Sequence, residues 1–224
     1  MELMKLYKYF SKEYKIAAQS YYTWKLINNT VSKDSKIYNS LNENSTTWNI
    51  ILHSLQSTYF IALRRIFDND KNTFSAERLL NSCIENISEF GKDKIAERKI
   101  DANAEKPEWL DKYLESVYQI ERKDIQKLLD ELLKQKEKYI KIFKPIINKV
   151  FAHSEIKYLE NSKSLFVDAK IEDIEEILNF LFQIDMILFD LLHNGKFQQI
   201  GTYHCKEEEY LLKDIIQLLN KISA

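Results

Sequence analysis

Apolar residues recur at three- and four-residue spacings along most of this 224-residue chain, the period of amphipathic helices rather than the alternation of strands. Residues 2–29 predict a first helix whose apolar positions are mostly aromatic: Tyr7, Phe10, Tyr14, Tyr21, Tyr22 and Trp24. The polar run Asn28 to Lys36 predicts a connection. A second long helix follows through Trp48, Leu52, Leu55, Tyr59, Leu63, Ile66 and Phe67, and the turn cluster Asp68 to Asn72 stops it. Phe74 to Ile87 reads as a shorter helix, with Gly91 offering a left-handed cap.

Residues 92–108 are charged and weakly periodic, which predicts a poorly anchored helix and loop. From Trp109 to Phe143 the pattern predicts one helix, and Pro145 then kinks it or opens a new one. Asn161 to Lys170 reads as a loop, with a short extended piece at Leu165 to Val167. Ile171 to Lys196 is the most apolar helix, with Gly195 at its end, and Glu207 to Ile222 is the last.

Composition sharpens the fold class. Three Gly and two Pro are too few for the turns of a sheet-rich protein, so the expectation is all-α. With no repeat and no Pro- or Ser-rich linker, residues 1–224 are expected to form a single domain, a bundle of long antiparallel helices. The net charge is −1, which excludes a global basic field for nucleic acid and leaves only local patches. Cys83 and Cys205 match no metal-ligand spacing, and no metal or other cofactor is expected. The N-terminus lacks the apolar core of a signal peptide, and no apolar run approaches the length of a membrane span. A cytoplasmic protein without membrane contact is the expectation.

One stretch carries candidate chemistry: KPIINKVFAHSE, Lys144 to Glu155. Phe143, Ile146, Ile147, Val150 and Phe151 form a core-facing stripe. At about 100° per residue, His153 falls at the boundary of that stripe, with Lys149 four residues earlier on its face. Asn148, Lys149, Ala152 and His153 make the stretch resemble the signature of HEPN domains, in particular their abortive-infection branch. There an Arg precedes the His by a few residues and is often followed by a polar residue. Ala62 to Leu80, ALRRIFDNDKNTFSAERLL, resembles the same branch. The position expected for the Arg is 147, which is Ile here.

The resemblance implies a helical fold, a homodimer with facing motifs, and metal-independent cleavage of RNA in phage defence or as a toxin. Such chemistry needs a base for the 2′-hydroxyl and an acid for the leaving oxygen, tasks that suit a histidine. It also needs a fixed cation for the phosphorane, which suits an arginine. On this reading His153 is the acid/base and Asn148 orients it or the phosphate. Ile147 leaves the phosphate without its cation unless Lys149, Arg64 or Arg65 supplies one. Arg64 and Arg65 are otherwise solvated or paired with Asp68 and Asp70.

The alternative is a catalytically inactive HEPN relative that binds RNA, a nucleotide or a protein such as an antitoxin. Regulation by nucleotide transfer onto a Tyr two residues after the motif His is not supported, because that residue is Glu155. Among the other histidines, His53 reads as a core or boundary residue and His193 as a helix-terminal one favoured by the dipole. His204 beside Cys205 makes a poor metal site.

Overall fold

Helix starts are written into side chains that accept hydrogen bonds from the free first-turn amides. Asp34 Oδ1 accepts from the amides of Lys36 and Ile37 at 2.9 and 3.1 Å, and Ser75 Oγ accepts from Arg78 at 3.2 Å. The computed structural model describes residues 2–70, 72–100, 105–147, 170–203 and 205–223. Its helices are α1 (Glu2–Val31), α2 (Ser35–Glu43), α3 (Ser45–Ile66), α4 (Ala76–Glu85) and α5 (Lys92–Lys99). They continue with α6 (Leu110–Glu115), α7 (Arg122–Ile146), α8 (Ile171–Phe189) and α9 (Glu207–Ile222). No strand occurs among the described residues, so the fold is the all-α one that the glycine and proline poverty predicts. No helix among them is long and apolar enough to cross a membrane.

Several boundaries differ from the sequence expectation, each for a local reason. Asp34 nucleates α2 inside what reads as a connection. Gly91 is extended, with φ −73° and ψ 163°, and joins a 3₁₀ turn (Ile87–Phe90) to α5 rather than capping left-handed. The helix expected from Trp109 to Phe143 is two helices. Asp124, buried, accepts from the Glu121 amide at 3.0 Å and from Tyr118 Oη at 3.3 Å, which starts α7 afresh as a capping box does. Pro145 is accommodated inside the last turn of α7. The stretch from 92 is well anchored at α5: Ile95 is fully buried. Arg98 donates to the carbonyls of Glu89 and Leu192 at 2.7 and 3.1 Å and to Glu89 Oε2 at 2.6 Å. Gly195 behaves as expected, ending α8 and its π-helical last turn (Asp190–Asn194) with φ 58°. The extended piece expected at Leu165 to Val167 lies outside the described residues.

The chain divides into two compact units, each assembled from three separate stretches. One comprises Met1–Ser11, Phe67–Lys141 and Ile171–His204, the other Lys12–Ile66, Ile142–Lys170 and Cys205–Ala224. The first is built on α8, where Ile174, Ile177, Leu178, Leu181, Ile184 and Leu188 are all buried. With Phe180 and Ile187 also buried, the apolar face of α8 covers about half of its circumference. Its buried Gln183 accepts from the amides of Gly201 and Tyr203, both at 3.2 Å, and donates to the Tyr203 carbonyl. That one side chain fixes the loop after the π-helical turn. The second unit is held by the aromatics of α1 and α3: Tyr21 meets Tyr59 edge-on at 5.5 Å, and Phe60 lies 6.3 Å from Phe143. A cluster of Leu26, Ile27, Ile37, Leu41, Ile215 and Leu219 joins α1, α2 and α9. Each such side chain, fully buried, stabilises by about 1.5–3 kcal/mol.

Candidate functional site

The motif region begins at the end of α7, where the predicted core stripe is buried as far as Ile147, and Val150 and Phe151 lie outside the described residues. Phe143, Ile146 and Ile147 are each 0% exposed. Ile147 thus lies in the core, as its place on the stripe predicts. Its own chain covers it, so it makes no call on a partner. Asn148, Lys149, Phe151 and His153 lie outside the described residues.

Arg64 and Arg65 close α3, and being about 100° apart around the helix they take different roles. Arg65 Nη1 lies 3.4 Å from both carboxylate oxygens of Glu13. Glu13 is 3% exposed, so its charge depends on that guanidinium. Arg64 is exposed and has no ion pair among the described residues. Asp68 and Asp70 organise the turn that follows α3: Asp68 Oδ1 accepts from the Asp70 amide at 3.0 Å, and Asp70 Oδ1 from the Asn72 amide at 2.8 Å. Arg65→Ala should therefore cost about 1–3 kcal/mol, the cost of leaving a buried acceptor unanswered. Arg64→Ala should stay within about 0.5 kcal/mol of wild type. Urea denaturation of the two variants checks both.

Among the described residues, the remaining titratable groups form no second cluster of catalytic type. A cleft of about 560 Å³ in the first unit is lined by Asp68, Asp70, Glu77, Glu85, Arg78 and Lys136, but Glu77 is already paired with Lys136. No group of three or more His, Cys, Asp or Glu able to hold a metal ion occurs among the described residues. Both cysteines are free thiols, and burial pushes Cys83 up to about 12, which removes it from thiolate chemistry. His53 is exposed, not a core residue, with Nδ1 3.5 Å from Ser57 Oγ.

A family model for AbiU2 proteins of the HEPN class matches residues 2–198. The chain belongs to the HEPN AbiU2 family. It is thus an abortive-infection-related HEPN protein, and the match takes in every element from α1 to the π-helical turn after α8. Only α9 lies beyond it. Comparison with curated proteins and with solved structures found no match.

Within this HEPN AbiU2 chain, the elements that would position the motif are described and part of the motif is not. The structure brings Ile147 into the core, commits Arg65 to Glu13 and leaves Arg64 to solvent. Sequence reading missed the binding of Glu13 by Arg65, because the two lie 52 residues apart and Glu13 stands in no motif.

Proposed function

We propose that this HEPN protein serves phage defence as a non-cleaving module that binds RNA, a nucleotide or a protein partner. The observation that carries the reading is Ile147, an aliphatic side chain at 0% exposure where the resembling motifs hold Arg. A buried aliphatic cannot stabilise a phosphorane, and the position is shaped for hydrocarbon rather than for a charge that reaches substrate. Arg65, engaged with a buried carboxylate, is a poor replacement. On this reading the wild type leaves labelled single-stranded RNA intact in the presence of a chelator, and so does Ile147→Arg. Restoration of cleavage by Ile147→Arg would instead mark an eroded but rescuable active site.

A second reading, a metal-independent endoribonuclease, is favoured by the retained Asn148, Lys149 and His153 and by the solvent-facing Arg64. It requires Arg64 or Lys149 to supply the cation. Then Arg64→Ala or Lys149→Ala should slow cleavage at a cost of about 3 kcal/mol of barrier, as for loss of one oxyanion donor. Either function includes pairing of two copies, which light scattering at micromolar concentration tests. A monomer mass would remove the homodimer from the account.

A further inference from the structure

α3 carries one face that the protein itself leaves uncovered. Its inward side is settled: Trp48, Leu52 and Leu55 pack on the cluster of α1, α2 and α9, and Tyr59, Leu63 and Ile66 are buried. At about 100° per residue, Ile50, Ser54, Ser57, Thr58, Ile61 and Arg64 share the opposite side. Ile50 is 62% exposed and Ile61 40%. From Asn44 to Leu63 no Asp, Glu, Lys or Arg occurs, in a chain of which 30% is charged. The solvent side of a helix normally holds such residues, as α7 does with its exposed Lys127, Asp130, Lys134, Glu137 and Lys141. The outer face of α3 therefore has the composition of an interface and the exposure of a surface.

The two charges that end this uncharged run have opposite signs. Glu43 is the last residue of α2, directly before α3 begins, and Arg64 lies in the last turn of α3. Both are exposed, and neither has an ion pair among the described residues. At 1.5 Å per residue they stand about 30 Å apart along the helix. A negative end, an uncharged middle and a positive end make the face complementary to its own reverse.

We propose that this face pairs with the same face of a second copy, α3 against α3, antiparallel about a two-fold axis at Ser54. In that register Ile50 enters the hole that Ser54, Ser57, Thr58 and Ile61 of the other copy form, at spacings of three and four residues. The axis repeats the contact, and at each end Arg64 comes opposite Glu43 and Asn44 of the other copy. A parallel pairing would set Arg64 against Arg64 and Glu43 against Glu43, so the charges select the antiparallel one. The antiparallel arrangement also opposes the two helix dipoles. This inference rests on the pairing of two copies proposed above and gives that pairing its surface. It needs neither the motif around Ile147 nor any cleavage of RNA.

Sedimentation equilibrium of the full chain over a concentration series reads the monomer–dimer constant. Ile50→Glu should weaken pairing by about tenfold or more. Thermal unfolding of the dilute monomer should not change, because Ile50 faces solvent in the single copy. Glu43→Arg and Arg64→Glu each bring like charges together and should each weaken pairing about tenfold. The double variant Glu43→Arg, Arg64→Glu exchanges the two ends and should return to within about threefold of wild type. A double variant no better than either single one overturns the register and with it the proposal. A dimer whose constant is the same in Ile50→Glu overturns the α3 face while leaving the pairing of copies intact. A wild type that stays monomeric at millimolar concentration overturns both and leaves the face to a partner of different sequence.

Discussion

Ile147→Arg should lower the stability of the fold by about 3–5 kcal/mol, the range for a buried charge left without a partner. Ile147 is fully buried beside Phe143 and Ile146, also at 0% exposure, in a stripe that continues the apolar face of α7. An arginine there must either bury its guanidinium among hydrocarbon or push α7 away to reach water. Both routes cost more than the three-methylene stem of arginine, one carbon short of the isoleucine side chain, can return. Ile147→Leu, of equal volume, should cost less than about 1.5 kcal/mol and serves as the control. Urea denaturation of the three proteins reads the difference. An Ile147→Arg variant as stable as wild type would mean that position 147 reaches solvent readily, and the case against a catalytic cation there would fall.

Gly195→Ala should destabilise the first unit by about 2–4 kcal/mol, combining a left-handed backbone with overpacking. At φ 58° an L side chain is strained. A Cβ at this position would meet Val117 Cγ2 at 2.7 Å and Cγ1 at 2.9 Å, closer than real Cβ contacts. The backbone cannot easily retreat, because the Gly195 carbonyl accepts from the Tyr118 amide at 2.7 Å. The two contributions are separable. Adding Val117→Ala should recover the steric part and leave the backbone part, so the cycle should show coupling of about 1 kcal/mol or more. Thermal unfolding of the four proteins gives the answer, and additive effects would show that Val117 is not the obstacle.

The all-α fold was legible because the 3.6-residue period runs through nearly the whole chain, and a few side chains with caps fix where helices begin. The parts that were not legible are those decided by distant partners. Nothing in the charged stretch from 92 announces that Arg98 will bond Leu192, 94 residues away, so α5 reads as loose when it is pinned. Asp124 looks like any acid in a helical pattern until its carboxylate is seen capping a new start. For the site, the residue types Asn148, Lys149 and His153 could be read from the sequence. That Ile147 is covered by its own chain rather than by a partner could not, because a helical wheel places a residue on a face without saying what covers that face.

The central claim is that this HEPN protein does not cleave RNA through its motif histidine. The most direct measurement compares wild type with His153→Ala on labelled single-stranded RNA, without divalent metal and with chelator present. The account predicts no cleavage above buffer by either protein, and no difference between them. Cleavage by the wild type that His153→Ala abolishes would contradict it, because a histidine can move the proton only where something else already holds the phosphate.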